Sequence, residues 1–348
     1  MKTVIWSMRD GIDEEGIRRA GDILKKGGLV AFPTETVYGL GADALDEKAS
    51  AKIYQAKGRP SDNPLIIHIS KWEDIERIAV DIPAEAKALA DAFWPGPLTM
   101  ILKKSEQVPD GTTGGLPTVA IRMPDHAIAR ALIEAGGGYI AAPSANTSGR
   151  PSPTAAEHVA EDMDGVIDMI IDGGEVSIGL ESTIVDLTDG IPTILRPGYI
   201  NQEMLEQVLG QVELDKGLIA SDSSVKPKAP GMKYRHYAPK APLIIVEGEP
   251  EQVRRKINEL VEQHQKEGKR CGIIATDESR ECYRSSVVKS IGSRADERTI
   301  AQHLYGILRE FDQMDVDVIY SESFETPQMG QAIMNRLIKA AGHQIVTV

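Results

Sequence analysis

Cysteine is scarce in this 348-residue chain, which has only Cys271 and Cys282. Two cysteines are too few for a disulfide scaffold, and these two lack the paired spacing of a zinc site. Neither a Walker A motif nor an H-E-x-x-H motif occurs. We therefore expect two ordinary thiols and no metal site built by the protein itself.

Long apolar runs are also missing. The chain has no stretch of about 18 apolar residues, the length needed to cross a bilayer. The first ten residues, MKTVIWSMRD, lack the apolar region of a signal peptide. Positive charge is in deficit as well, with 39 Lys and Arg against 52 Asp and Glu, a net charge of −13. We expect a cytoplasmic protein with no general attraction to membranes or nucleic acids.

The length of the chain exceeds what one hydrophobic core usually organises, so the sequence predicts two domains. Apolar periodicity fades between residues 211 and 240, which are rich in Ser, Pro, Lys and Gly. We predict a catalytic domain over residues 1–210, a linker over 211–240 and a second domain over 241–348.

Apolar β-branched runs alternate with amphipathic segments along the chain. In the first part they predict strands at 28–32, 64–69, 98–102, 118–121 and 183–187, and helices at 14–26 and 47–57. After residue 240 they predict strands at 243–246, 271–275 and 316–320, separated by helices at 251–266, 299–311 and 329–341. This alternation is typical of a small open α/β domain with a largely parallel sheet.

The segment PTETVYGLGADA, residues 33–44, directly follows an apolar strand. Its two glycines invite a dinucleotide-binding interpretation, but a full fingerprint needs a third small residue and a long helix directly behind it. Asp43 and Asp46 intervene here. A turn with a threonine-rich ligand pocket is favoured.

Cations stand at the ends of predicted elements although the chain is acidic. Lys57 and Arg59 lie in the loop KGRPSDNP, and Arg122 and Arg196 each end an apolar run before a proline. Taken singly, each has a plain interpretation: complementing a helix dipole, surface charge, or a hairpin end. Together they favour a pocket for a small anion.

The segment APSANTSGRPSPT, residues 142–154, offers hydroxyl and amide groups shortly before a predicted helix, a suitable environment for phosphate oxygens. Thr154 and Glu157 fit a capping box at the start of that helix. No G-x-S-x-G elbow surrounds Ser144, so a serine nucleophile is disfavoured.

The motifs PTETVYGLGADA, KGRPSDNPL, FWPGPLT, SANTSGRPSPT and LESTIVD occur together and in this order. With them, residues 10–205 resemble the YrdC-like threonylcarbamoyl-AMP synthases, and the tail from about residue 240 resembles the extra domain of the long form. The resemblance implies an α/β fold, with a twisted open mixed sheet around a concave pocket and a smaller Rossmann-like C-terminal α/β domain.

The resemblance also implies site residues. Those around L-threonine would be Thr36, His68, Arg122, Ala142 and Ser182. Those around ATP would be Arg59, Asn63, Thr118, Ser144, Ser152, Arg196 and Tyr237, the last carried across the pocket by the linker. Lys57 and Arg59 would supply the main catalytic charge.

The activity implied is that of a nucleotidyltransferase, which makes threonylcarbamoyl-AMP and pyrophosphate from L-threonine, bicarbonate or CO2, and ATP. Mg²⁺ would arrive with ATP, and the product would pass to a tRNA threonylcarbamoyl transferase. Strong direct binding of tRNA is not expected from a chain of this charge.

Two other functions stay open at this point. A double-stranded RNA-binding module would use a concave basic surface for an A-form backbone, which the net charge opposes. A carbamoyl-adenylate-forming enzyme, as in hydrogenase-maturation carbamoyltransferases, would be expected to carry acylphosphatase and zinc-finger-like segments, and two cysteines are too few for the latter.

Overall fold

The structure, a computed structural model, describes residues 2–215, 218, 236–285, 287–324 and 327–348. It contains two compact units. The first comprises Met1–Ser148, Ser152–Ser177 and Glu181–Lys233, and the second comprises Gly149–Pro151, Ile178–Leu180 and Tyr234–Val348. The predicted linker falls largely on residues outside the described part of the chain, so the predicted division at 210 and 240 stays a prediction.

The first unit is built on one large sheet. Its strands are β1 Val4–Ser7, β2 Val30–Phe32, β3 Gly39–Asp43, β4 Ile66–His68, β5 Ala79–Val80, β6 Leu98–Lys104, β7 Thr118–Arg122, β8 Ile140–Ala141, β9 Met169–Asp172, β10 Thr183–Asp186, β11 Thr193–Arg196 and β12 Glu213–Leu214. Its helices are α1 Glu14–Lys25, α2 Glu47–Lys57, α3 Ile75–Ile78, α4 Ala84–Phe93, α5 Asp110–Thr113, α6 Ala127–Ala135, α7 Ala156–Met163 and α8 Gln202–Leu209.

The strand order is β1-β9-β2-β3-β8-β4-β7-β6-β10-β11-β12, with β5 added beside β6. The sheet combines parallel pairs, such as β4 with β7, and antiparallel pairs, such as β6 with β7. The mixed α/β sheet predicted for this part of the chain is therefore confirmed. Each of the five strands predicted there is present, with ends shifted by at most two residues.

The sheet is covered differently on its two faces. Along β2, Ala31 packs into one hydrophobic cluster, while Val30 and Phe32 pack into a second cluster with α1 and α6. Along β7, Val119 and Ile121 belong to the first cluster. Since successive side chains of a strand point to opposite faces, the alternate residues of β7 lie on the other face, where the candidate site is found.

Helix α2 brings the first cationic loop to its place. Asp46 caps its start by accepting from the Lys48 backbone N–H, and Gly58 ends it in the left-handed conformation with φ 59°. Glycine adopts this conformation without steric cost, which explains the change of chain direction after Lys57.

The second unit has five strands and three helices among its described residues. They are β13 Leu243–Glu247, α9 Pro250–Lys266, β14 Cys271–Ala275, β15 Val287–Ser290, α10 Glu297–Asp312, β16 Val318–Glu322, α11 Gly330–Ala340 and β17 Ile345–Thr347. Their order is β15-β14-β16-β13-β17, and all neighbours are parallel. The predicted parallel α/β domain is confirmed, with β15 and β17 added.

Both cysteines are free thiols, Cys271 buried in β14 and Cys282 exposed. In the described parts of the chain, none of the helices combines the length and the apolar character that crossing a membrane requires.

Candidate active site

Strand register lines up several predicted site residues across the first unit. His68 of β4 stands beside Arg122 of β7, and Arg122 stands beside Thr99 of β6. Thr99 is paired with Ile184 of β10, which is paired with Arg196 of β11. Residues paired in register point to the same face, so this row presents polar groups on one side of the sheet.

The same face carries a small apolar cluster beside that row. It consists of Ile66, Ile101, Ala120, Ile184 and Leu195. Ile66 and Ala120 each lie two residues before a polar member of the row, His68 and Arg122. The site thus combines an apolar floor with a few buried polar groups, as small-molecule sites usually do.

Arg122 is the central group of this arrangement. It is 4% exposed, which contradicts the interpretation of Arg122 as a surface charge. Its Nη1 donates to the Thr36 hydroxyl at 2.9 Å, its Nε lies 3.4 Å from the Gly96 carbonyl, and its Nη2 lies 2.7 Å from Glu35 Oε2. A guanidinium held in this way is fixed in orientation before any ligand arrives.

The PTET loop owes its shape to Thr34. The Thr34 hydroxyl donates to the Val37 carbonyl at 2.7 Å and accepts from the backbone N–H of Thr36 and of Val37. It also lies 2.9 Å from the Thr36 hydroxyl. These bonds aim Thr36 at Arg122, so the predicted threonine-rich pocket is made of one turn-forming and one inward-facing threonine. In the same motif, 39–43 form strand β3.

Ser182 and Arg196 form a second polar group on this face. The Ser182 hydroxyl lies 2.7 Å from the Thr99 hydroxyl and accepts from Arg196 Nη2 at 3.1 Å. Arg196 Nε donates to the Ser182 carbonyl at 3.0 Å. Strands β10 and β11 do form the antiparallel hairpin of the plain interpretation, and within it Arg196 is 5% exposed, so its guanidinium is a buried part of this group.

His68 is held neutral. Its Nδ1 lies 3.1 Å from the Ile66 carbonyl, and its ring packs edge-on against Phe32 with 6.2 Å between centroids. Burial, aided by the positive charge of Arg122, lowers the pKa of His68 to about 3. At neutral pH this imidazole therefore contributes no charge to the site.

This depressed pKa predicts an acid-sensitive stability. Between pH 6.5 and pH 3 the unfolded chain binds a proton on His68 that the folded chain does not, so stability falls as pH falls, by up to about 1.4 kcal/mol per pH unit. Denaturant unfolding of the wild type and of His68→Gln at pH 7, 6, 5 and 4 measures this. The variant is expected to lose stability less steeply below pH 6. Equal slopes would contradict the depressed pKa.

The loop KGRPSDNP is anchored by both of its cations. Lys57, which is 2% exposed, donates from Nζ to the carbonyls of Ser144 and Asn146. Arg59 Nη2 donates to the carbonyls of Asn63 and Pro64, each at 3.1 Å. Lys57 is therefore more than a surface complement to the helix dipole, because it ties this loop to the segment 142–154.

Asn63 adds an unused acceptor. Its Oδ1 is buried and accepts no hydrogen bond within the described residues, while its carbonyl oxygen accepts from the Tyr54 hydroxyl at 3.1 Å. A buried acceptor without a donor is costly unless a ligand supplies one.

The segment 142–154 runs beside the PTET motif. Backbone bonds join Ala145 N–H to the Tyr38 carbonyl and Tyr38 N–H to the Pro153 carbonyl, each at 2.9 Å. Ala142, 3% exposed, donates its N–H to the Ile66 carbonyl. The Ser144 hydroxyl donates to Asn146 Oδ1 at 2.5 Å.

Ser152 is fully buried and donates to Glu181 Oε1 at 2.6 Å. The predicted capping box two residues later is wrong. Ala155 is the N-cap of α7 and has no side-chain cap, and the Thr154 hydroxyl instead lies 3.3 Å from Nδ1 of His158. His158 lies in the first turn of α7. The Thr154 hydroxyl contacts its ring, in place of the backbone N–H that a capping hydroxyl would bind.

One predicted site residue lies farther along the sheet. Thr118 begins β7, on the same face as Arg122 and about 13 Å along the strand from it. Tyr237 belongs to the second unit, where it is 5% exposed and its ring lies 5.1 Å from that of Tyr305. Its contact with a nucleotide stays a prediction, and its neighbours Tyr234 and Arg235 lie outside the described residues.

Sequence reasoning missed four polar residues of the site, namely Thr34, Glu35, Thr99 and Glu181. Each lies inside one of the five motifs, and no role was predicted for it. The available signal was a polar residue among apolar ones, as for Thr99 in PGPLTMIL. In the described parts of the chain, no group of three or more His, Cys, Asp or Glu residues is arranged to hold a metal ion.

Comparison with known proteins supplies the relatives of this site. A family model described as telomere recombination matches residues 22–198, and one described as the C-terminal domain of threonylcarbamoyl-AMP synthase matches residues 200–342. The threonylcarbamoyl-AMP synthase of Pyrococcus abyssi is 52% identical over 99% of this chain and 100% of its own length. That of Bacillus subtilis is 51% identical over the same shares of both chains.

Solved structures agree with these relatives. The crystal structure of P. abyssi Sua5 complexed with L-threonine matches with a TM-score of 0.95 and 52% identity, covering 99% of this chain and 100% of that one. The C-terminal family model and both full-length relatives therefore carry the same assignment. The chain belongs to the threonylcarbamoyl-AMP synthase family of nucleotidyltransferase enzymes, in the long form with a C-terminal domain.

Proposed function

We propose that this enzyme makes threonylcarbamoyl-AMP and pyrophosphate from L-threonine, bicarbonate and ATP in the first unit, with Arg122 as the anchor for threonine. The observation that carries this proposal is the buried guanidinium of Arg122, which is fixed by Thr36 on the polar face of the sheet. A forked donor in a confined site suits a carboxylate of a small molecule.

The threonine half of the site would be made by the row around Arg122. Its guanidinium would bind the carboxylate of L-threonine, and the hydroxyls of Thr36 and Ser182 would bind its other polar groups. Ala142 has a small side chain that leaves room for the ligand, and His68, being neutral, adds polarity without competing for the carboxylate. The P. abyssi relative in complex with L-threonine supports this choice of substrate.

The ATP half would be made by the cationic loop and the serine-rich segment. Lys57, Arg59 and Arg196 would offset phosphate charge. Asn63, Ser144 and Ser152 would supply hydrogen bonds, and Thr118 would contact ATP farther along β7. Mg²⁺ would arrive with ATP as part of the substrate, since phosphate oxygens are its usual partners.

The adenylation step joins two anions, N-carboxythreonine and ATP, which explains the need for these cations. The amine of threonine forms a C–N bond to the carbon of bicarbonate, with loss of water, or to the carbon of CO2, with loss of a proton, and either route gives N-carboxythreonine. An oxygen of the new carboxylate then attacks the α-phosphorus of ATP, and the bond to the β-phosphate breaks to release pyrophosphate. Rate enhancement would come from positioning and charge neutralisation without a covalent nucleophile.

The product is a mixed anhydride that water destroys, so its use has to be prompt. We propose that it passes in the cytoplasm to a transferase that modifies tRNA, while this chain itself binds tRNA weakly because its net charge is −13. The family assignment favours this function over the RNA-binding and carbamoyl-adenylate alternatives.

Pyrophosphate release from ATP tests the proposal. Release is expected only when threonine and bicarbonate are both present, and carbamoyl phosphate should not replace them. A rate that is unchanged when threonine or bicarbonate is left out would overturn the proposed function. A steeply salt-dependent affinity for double-stranded RNA without pyrophosphate release would favour the RNA-binding alternative.

A further inference from the structure

Glu35 is a buried carboxylate at the centre of the threonine half of the site. It lies between Thr34 and Thr36 in the loop after β2, and it is 6% exposed. Its Oε2 lies 2.7 Å from Nη2 of Arg122, the group assigned above to the substrate carboxylate. Glu35 thus faces the place where the substrate's charged groups would lie.

The contacts of Glu35 are incomplete. Neither of its carboxylate oxygens accepts a well-directed hydrogen bond from any described residue, and Nη2 of Arg122 likewise donates none. The contact between them is close in distance but lies off the hydrogen-bonding directions. A carboxylate can accept about four hydrogen bonds, and a buried one without them is costly. A purely structural ion pair would be expected to be bidentate and saturated.

A second titratable group near Glu35 is His126, at the start of α6. Its Nδ1 is buried and without a hydrogen-bond partner among the described residues. Burial lowers the pKa of His126, although the Glu35 carboxylate opposes this effect. A neutral His126 leaves Arg122 as the main cation facing Glu35.

L-Threonine carries both charges that this arrangement lacks. When its carboxylate binds Arg122, it competes with Glu35 for the guanidinium. The α-ammonium and the carboxylate of threonine are attached to the same carbon. The ammonium therefore lies within a few ångströms of the threonine carboxylate and close to Glu35. Three N–H donors of the ammonium match the unfilled acceptor sites of Glu35.

We propose that Glu35 binds the α-ammonium of L-threonine and accepts the proton that must leave before the amine can react. This inference rests on the proposed function. The ammonium form has no lone pair, so it cannot attack carbon, and a carboxylate at hydrogen-bond distance is a suitable base for it.

Threonine ammonium, bicarbonate and ionised Glu35 give N-carboxythreonine, water and protonated Glu35. A C–N bond forms, and a C–O bond of bicarbonate breaks. One proton of the ammonium moves to Glu35, a second leaves with the departing oxygen, which also keeps the proton of bicarbonate and becomes water, and the third stays on nitrogen. Glu35 returns its proton to solvent after the product leaves.

Equilibrium binding tests the ammonium contact without turnover. L-Threonine and its deamino analogue, 3-hydroxybutanoate, are titrated into the wild type, Glu35→Gln and a surface control, Glu134→Gln. The wild type and the control are expected to prefer threonine by about 30-fold or more, since hydrogen bonds to charged groups have that effect. Glu35→Gln is expected to bind the two ligands within about threefold of each other. A variant that keeps the wild-type preference overturns the inference.

The reverse reaction separates a chemical role from a structural one. Pyrophosphorolysis of freshly made threonylcarbamoyl-AMP yields ATP and N-carboxythreonine before any proton has to return to nitrogen. Glu35→Gln is therefore expected to lose at least about 100-fold in forward kcat/KM for threonine and to keep the reverse rate within about fivefold. Equal losses in both directions assign Glu35 a structural role and contradict the inference.

Two further results keep the test decisive. If Glu35→Gln does not fold, Glu35→Asp replaces it and is expected to slow the forward reaction at least tenfold more than the reverse one. Equal slowing by Glu35→Asp contradicts the inference. If the wild type itself shows no threonine-dependent pyrophosphate release, the proposed function fails, which is distinct from failure of the role of Glu35.

Discussion

Arg122→Ala is expected to raise the threonine concentration that gives half-maximal pyrophosphate release by about 100-fold or more. Truncating one partner of a buried, hydrogen-bonded charge pair costs roughly 2–5 kcal/mol, and 2.7 kcal/mol corresponds to about 100-fold. Arg122 is 4% exposed, so the substrate carboxylate would lose a largely buried charge partner. Steady-state kinetics with threonine varied at saturating ATP and bicarbonate measures the effect.

The controls for this variant follow from its contacts. Removal of Arg122 also leaves Glu35 buried without its cation, so denaturant unfolding is measured in parallel. Arg122→Lys keeps the positive charge but loses the forked guanidinium, so it is expected to recover only part of the affinity for threonine. Arg19→Ala, an exposed arginine on α1, should behave as the wild type. A threonine dependence unchanged in Arg122→Ala would remove Arg122 from the site.

Lys57→Met is expected to lower kcat by about 100-fold to 1,000-fold while the affinity for threonine changes little. The Lys57 ammonium donates to the carbonyls of Ser144 and Asn146. Its loss therefore removes a buried positive charge and also removes the hydrogen bond that it donates to each of these two carbonyl oxygens. The serine-rich segment would then lose its fixed position beside the nucleotide.

The measurement for Lys57→Met is pyrophosphate release at saturating substrates, together with threonine binding at equilibrium. Lys25→Met, in the last turn of α1, is the matched control because it removes a lysine outside the site. A kcat within about threefold of the wild type would show that the cation at this position is dispensable. Loss of threonine binding would place Lys57 in the threonine half instead.

Local sequence patterns predicted the strands that run through the core. In TVAIR, Val119 and Ile121 face the main hydrophobic cluster while Ala120 and Arg122 face the site, and the period of two is visible in the sequence. Helix α2 was predicted with its observed bounds from its amphipathic pattern, and in the structure Asp46 and Gly58 cap its two ends. Strands β3, β15 and β17 were not predicted. The sequence of β3, GLGAD, lacks β-branched residues. Strand β17 pairs with β13, which is distant in the sequence.

The site was predictable as a set of motifs but not as a set of contacts. Charge and spacing indicated a small-anion pocket, and the resemblance supplied the substrates. Burial reversed the plain interpretation of Arg122, because only the fold shows which strand end is covered. Glu35 was not identified because a glutamate between two threonines in a loop usually lies in water. Here it is buried in contact with the Arg122 guanidinium.

The identity of the product tests the central claim most directly. The enzyme is incubated with ATP, L-threonine and ¹³C-bicarbonate, and the adenylate formed is analysed at once by mass spectrometry. The account predicts threonylcarbamoyl-AMP that carries one ¹³C atom from bicarbonate and is absent when threonine is omitted. An adenylate without the label, or one formed equally well without threonine, would contradict it.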